Sequence, residues 1–244
     1  MTLQDWIDAR GAALDAAARP WARRSVWRGR AYEAFVFVAK QAWACLFGVA
    51  MLGLLTLTHA VWPAQAPLAR YDFMVFAALG IQVFLLATRL ERPEEAVVIG
   101  LFHVTGTLME IFKVAHGSWL YPEPSLIRLW GVPLFSGFMY GSVGSYFARA
   151  TRLFEVGFVR YPPIWTTWLL AVAAYVNFFT HHFFPDIRLG LFAFSLLIFG
   201  LTTLEFRTLD TRRRLPMLAA FLGVAVALWI AENLATSART WIYP

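Results

Sequence analysis

The chain is poor in charge: only 15% of its 244 residues are Asp, Glu, Lys or Arg, while 59% are hydrophobic. A soluble domain carries about 25% charge and about 45–50% apolar residues. Together with repeated apolar runs long enough to cross a bilayer, that shortage excludes a water-soluble fold. Cysteine is nearly absent. Its single copy, Cys45, sits inside an apolar run, so no disulfide framework exists. Lysine is limited to Lys40 and Lys113, and neither lies in the last apolar run, which excludes a retinal-type Schiff base there. HExxH, CxxC and phosphate-loop patterns are missing. The lone His181-His182 pair lacks the further histidine boxes of a di-iron desaturase. The first 30 residues are polar and no small-residue cleavage site follows the first apolar run, so no cleavable signal peptide is expected.

What remains is a succession of apolar segments. Spans are expected at roughly 34–61, 70–89, 96–117, 131–149, 164–184, 189–206 and 216–239, separated by Trp62-Pro63, Arg92-Pro93-Glu94, Pro122-Glu123-Pro124, Tyr161-Pro162-Pro163, Pro185-Asp186 and Arg214-Leu215-Pro216. Residues 1–32 hold Arg10, Arg19, Arg23, Arg24, Arg28 and Arg30 among Ala and Trp, the pattern of an amphipathic helix on a membrane surface. With the N-terminus inside, these six and Arg89, Arg92, Arg149, Arg152, Arg160, Arg207, Arg212, Arg213 and Arg214 face the cytoplasm. The outer segments hold only Arg70, Arg128, Arg188 and Arg239. This positive-inside bias predicts an N-in, C-out protein. It also accounts for the net charge of +6 without a nucleic-acid partner. Lys40, near the inner end of its span, is expected to snorkel to the cytoplasmic face.

Comparing the sequence with itself yields an internal repeat. Glu110…Trp119-Leu120-Tyr121-Pro122 recurs as Glu232…Trp241-Ile242-Tyr243-Pro244, an offset of 122 residues. Thr58-His59 and Pro63 recur as Thr180-His181 and Pro185 at the same offset, while Arg70 and Arg89 match Arg188 and Arg207 at 118. A shared His-to-Glu spacing of 51 residues in both halves is more than an aromatic interface belt requires. The expected fold is therefore an all-α membrane protein of seven transmembrane helices arranged 3+1+3. Repeat one covers 33–122, a linker helix 131–149 and repeat two 163–244, all within one membrane domain, 33–244.

Ionisable groups inside a membrane cost about 2.5–3.5 kcal/mol each on insertion scales and mark sites by default. The expected outer half collects His59, His103, Glu110, Lys113, His116, Asn177, His181, His182, Glu232 and Asn233. On the third span His103, Gly106, Glu110, Lys113 and Gly117 share one helical face. Three readings of the cluster stay open. In the first, a cofactor-free membrane enzyme acts on a polyisoprenoid or other lipid, with Glu110 and Glu232 as acid–base pair, assisted by His181. His59, His103, Lys113, Asn177, Asn233, Trp119 and Tyr121 then line the substrate. In the second, the protein is a small-molecule transporter of parallel-repeat type. In the third, His59 and His181 ligate haem or a metal.

The stretch Glu110 through Tyr121, the segment Gly131-Val132-Pro133-Leu134-Phe135, and Glu232 through Pro244 resemble the YoaT-like family of bacterial integral membrane proteins, DUF817. The resemblance covers nearly the whole chain. It implies a bacterial inner-membrane protein and brings no activity with it. A shorter likeness, carried by Glu110…Gly117-Ser118-Trp119-Leu120-Tyr121 and Gly131-Val132-Pro133, is similar to carotenoid hydratase and heterodimeric lycopene cyclase type membrane proteins. It covers about a quarter of the chain and implies a carotenoid-like substrate.

Overall fold

The computed structural model describes residues 2–63 and 65–243. Pro244, the last residue of the repeated signature, lies outside them. The fold is mostly helical and falls into two compact units, 1–154 with 231–244, and 155–230. Among the described residues, three helices are long and apolar enough to cross a membrane: α4 (Arg70–Ala87), α5 (Pro93–Ala115) and α9 (Met217–Ser237). Apolar helices of this length suggest a membrane-embedded protein. A fourth span is available if α2 (Val26–Ala44) and α3 (Leu46–Val61), bent 64° at their junction, count as one.

The expected span 34–61 is thus broken. No proline stands at the break. Instead, the Arg149 guanidinium donates to the Trp43 carbonyl at 3.1 Å, taking one of the carbonyls that a continuing helix would use. Ahead of the break, α1 (Leu3–Ala22) starts on a Thr2–Asp5 capping box. It folds back along α2, where Tyr32 donates to Asp15 (2.7 Å) and Asp15 pairs with Arg19 (2.6 Å).

Within the first unit, α5 packs most closely on α6 (Phe135–Leu153). Small residues allow the approach: a Cβ on Gly106 would fall 2.1 Å from the Tyr140 ring. One core cluster joins Leu55, Tyr71, Met74, Tyr121, Val132, Phe135 and Ala235. A second joins Phe47, Met51, Ala78, Leu85, Leu90 and Ile99. The loop after α5 is pinned to the start of α4. Asp72 accepts from the Ser125 hydroxyl (2.6 Å) and from the Leu126 and Ile127 amides (both 2.9 Å), and Arg70 forks onto Glu123 at 2.6–3.0 Å. Two short antiparallel strands, β1 (Arg128–Leu129) and β2 (Val132–Pro133), complete that loop.

At the opposite end of α4, Glu91 is buried and accepts from Arg149 (3.0 Å), Ser145 and Gln82. Arg152 pairs with Glu95 at 2.7 Å. Both arginines, assigned from the sequence to the cytoplasmic side, are ion-paired. The Lys40 ammonium donates to the Leu153 carbonyl at 3.1 Å, at the C-terminal end of α6.

The second unit holds α7 (Ile164–Thr180), α8 (Arg188–Phe199) and a three-stranded antiparallel sheet of β3 (Gly157–Val159), β4 (Thr203–Arg207) and β5 (Arg212–Pro216), in the order β3-β4-β5. The sheet corrects the all-α expectation, and the predicted span 189–206 ends as helix at Phe199. From Thr203 the pattern changes to alternation, and Glu205 pairs across the sheet with Arg214 at 2.6 Å. At seventeen and twelve residues, α7 and α8 are apolar but short.

Candidate functional site

Two helix ends of identical construction meet in the first unit. At the end of α5 the Ser118 amide donates to the Lys113 carbonyl (3.0 Å); at the end of α9 the Thr240 amide donates to the Ala235 carbonyl (3.1 Å). The residue before each donor, Gly117 or Arg239, takes a left-handed conformation, φ 66° and 47°. This is the six-to-one closure of a Schellman turn. It explains the glycine at 117 better than the shared helical face expected for it. Each chain then turns back, and the two returning segments pair. Leu120 and Ile242 exchange backbone hydrogen bonds at 3.0 and 2.9 Å as an isolated antiparallel bridge. Tyr71 secures the second segment by donating to the Thr240 carbonyl at 2.9 Å.

The turns deliver side chains to the glutamates. Glu110 Oε2 accepts from the Trp119 indole (2.7 Å) and the Tyr121 hydroxyl (2.8 Å), and Oε1 accepts from the Tyr140 hydroxyl (2.8 Å). Glu232 accepts from the Tyr243 hydroxyl at 2.5 Å. The glutamate–tyrosine spacing of eleven residues is the same in both copies. Glu232 also acts electrostatically on Glu110 and Tyr140, and the Trp119 and Tyr243 rings meet edge to face at 6.2 Å. The result is a carboxylate pair of unequal access. Glu110 is 6% exposed and held by three neutral donors, whereas Glu232 is exposed. A buried carboxylate needs such donors, since its desolvation must be offset. Burial and the adjacent Glu110 raise the Tyr121 phenol well above its ordinary range, so it stays a donor. Burial and the Glu232 hydrogen bond also raise Tyr243.

Among the expected site residues, the structure brings together Glu110, Glu232, Trp119 and Tyr121. Lys113 is buried on the same helix, one turn from Glu110. His103 is half-buried deeper on α5, its ring edge-on to Phe138 at 4.6 Å. Asn233 and His59 are exposed. Asn177 and His181 belong to the second unit, where both serve the end of α7. Asn177 donates to Asp186 (3.1 Å) and accepts from the Ile187 amide (3.0 Å), and His181 Nδ1 lies 3.0 Å from the Asn177 carbonyl. Asp186 is held below the usual carboxylate range by the Arg188 backbone amide and the Asn177 side chain. Among the described residues, no group of three His, Cys, Asp or Glu side chains is placed to hold a metal ion.

Sequence reasoning missed Tyr140. Its signal was the glycine opposite: Gly106 leaves the space that the Tyr140 ring fills on its way to Glu110. Trp119 and Tyr121, expected to line a substrate, have their polar atoms turned toward the Glu110 carboxylate.

Residues 33–244 match the family model described as "Protein of unknown function (DUF817)". Uncharacterized protein YoaT of Bacillus subtilis (strain 168) is 39% identical over 205 residues, covering 84% of this chain and 77% of that protein. No solved structure matches.

Proposed function

The chain belongs to the DUF817 family, whose description gives no function, and from its paired glutamates we propose a multi-pass membrane protein that works by carboxylate acid–base chemistry on a lipid. The observation that carries this reading is the convergence of Glu110 and Glu232, each bound by the tyrosine eleven residues on. A carboxyl paired with a second carboxylate can take up a proton and hold it for transfer. It can then deliver that proton to a double bond or an ether oxygen, while the other carboxylate stabilises the cation formed or deprotonates water. Glu232, the exposed member, is the group a substrate reaches. Glu110, saturated by three donors, sets its field. The exposed Tyr243 ring beside Glu232 suits a polyisoprenoid or carotenoid-like substrate and no cofactor.

The same reading takes the bundle as seven spans, N-in and C-out, in a bacterial inner membrane, with 3+1+3 repeats. The matched turns at Gly117 and Arg239 support the duplication. The twelve-residue α8 rises only about 18 Å, so its crossing needs the flanking residues as well. Mass spectrometry of lipids co-purified with wild type and with Glu232→Gln tests the chemistry. The expected result is a polyene or prenyl lipid whose modified form disappears in the variant. Identical lipid profiles, together with unchanged turnover of the lipid identified, would refute it.

One observation favours a second reading, a small-molecule transporter. The span broken at Cys45 adjoins the buried Glu91–Arg149 pair, and discontinuous helices beside buried charge mark transport sites in repeat-built carriers. Substrate flux into proteoliposomes that survives Glu110→Gln and Glu232→Gln but stops in Glu91→Gln would favour it.

A further inference from the structure

The corner between α1 and α2 concentrates charge of one sign. Asp5, Asp8 and Asp15 all lie in the first fifteen residues, and Asp15 is taken up by Arg19 and Tyr32. Past Arg19, the corner holds Arg23, Arg24, Arg28 and Arg30 with no acidic residue between 16 and 32, and all four are exposed. Two tryptophans stand among them, Trp21 at 46% and Trp27 at 77% exposure. The Arg28 guanidinium lies over the Trp21 ring at 5.5 Å, and that of Arg30 over Trp27 at 5.5 Å. Ser25 caps the start of α2 by accepting from the Arg28 amide at 3.2 Å, which fixes where Arg28 and Trp27 emerge.

The placement of the hairpin matters as much as its charge. At the Cys45 junction α2 is bent 64° from α3, so the N-terminal part of α2 does not continue the line of α3 and is free to lie against the bilayer surface. Along α2, Trp27, Phe35 and Val38 are exposed at 77%, 68% and 63%. Such a stripe seats an interfacial helix on its apolar side, with tryptophan at the headgroup level. At that depth the ligand within reach of four arginines is the phosphate of a lipid, which guanidinium groups bind by charge-assisted, forked hydrogen bonds.

We propose that the α1–α2 corner, formed by Trp21, Arg23, Arg24, Trp27, Arg28 and Arg30, is a binding site for the headgroups of anionic phospholipids in the bilayer that holds the protein. The site is separate from the Glu110–Glu232 cluster and does not depend on its chemistry.

Native mass spectrometry of the full chain in detergent, titrated with phosphatidylglycerol or phosphatidylcholine, tests this. Wild type is expected to retain phosphatidylglycerol preferentially, and Arg23→Gln/Arg24→Gln to weaken that retention at least about tenfold. Arg23→Lys/Arg24→Lys keeps charge without the fork and is expected to fall between the two. A control pair, Arg212→Gln/Arg214→Gln, removes the same charge from the β5 strand and is expected to bind as wild type does. Should the double variant fail to fold, Arg24→Gln alone serves, with about a fivefold loss expected. Equal retention of both lipids by wild type, no loss in the corner variants, or an equal loss in the β5 control would each overturn the proposal.

Discussion

Removing the Arg149 guanidinium measures how the inner end of the first unit is held. Arg149 and Glu91 have side chains 0% and 1% exposed, joined at 3.0 Å, and Arg149 also holds the Trp43 carbonyl at 3.1 Å. Arg149→Met leaves the Glu91 carboxylate buried with two neutral donors, Gln82 and Ser145. Breaking one side of a buried pair costs about 3–5 kcal/mol. The two remaining donors place Arg149→Met toward the lower end, on the order of 10 °C in the unfolding midpoint for a chain of this size. Glu91→Gln alone strands the cation and loses a similar amount. Glu91→Gln/Arg149→Met removes both charges and keeps an amide oxygen for Gln82 and Ser145. It is expected to recover to within about 1–2 kcal/mol of wild type, because neutral replacements of buried pairs are often tolerated. Thermal unfolding of the four proteins in one detergent, followed by tryptophan fluorescence, reads the cycle. If the double variant loses the sum of the single losses, or if Arg149→Met unfolds at the wild-type temperature, the pair is not the keystone described here.

Other expectations are narrower. Gly106→Ala drives a methyl group into the Tyr140 ring and is expected to cost about 1–3 kcal/mol by overpacking; in a Tyr140→Ala background the same change should cost clearly less, which a thermal double-mutant cycle measures. Arg239 occupies the left-handed position that glycine fills at the end of α5, so Arg239→Gly is expected to leave the unfolding free energy unchanged or raise it by up to about 1 kcal/mol, read from the thermal midpoint. A fall beyond that would show the arginine side chain to matter more than its backbone. Tyr121 titrates above its ordinary range, so the stability it confers is complete below about pH 10, the unfolded value, and is lost as pH rises beyond it. Alkaline difference spectroscopy should count one fewer late-titrating phenol in Tyr121→Phe. An unchanged count would place the Tyr121 ring in water.

Helix ends were legible where local chemistry marks them. Pro93 at the start of α5 did its expected work, and α4 begins at Arg70 as the composition implies; Gly117, expected on the helical face, closes the helix instead. The bend at Cys45 was not legible, because its cause is a guanidinium more than a hundred residues away. Likewise, the run Leu201-Thr202-Thr203-Leu204 is apolar enough to extend α8. It becomes strand because β3 and β5 bond its backbone on both sides. In the candidate site, the eleven-residue Glu-to-Tyr spacing that recurs at both helix ends could be read from the sequence. The direction in which Trp119 and Tyr121 point could not. That follows from the Leu120–Ile242 bridge, a contact no local pattern announces.

That bridge also orders events in time. Glu110, Trp119, Tyr121 and Tyr140 leave the ribosome together, but the strand that fastens their loop comes about 120 residues later. Until it is made, the loop after α5 relies on its anchors to Asp72 and Arg70. The two-carboxylate cluster therefore comes into being only after the second unit has been synthesised. A nascent chain stalled within that unit would hold Glu110 without Glu232 beside it and without the bridge that turns Trp119 and Tyr121 toward it.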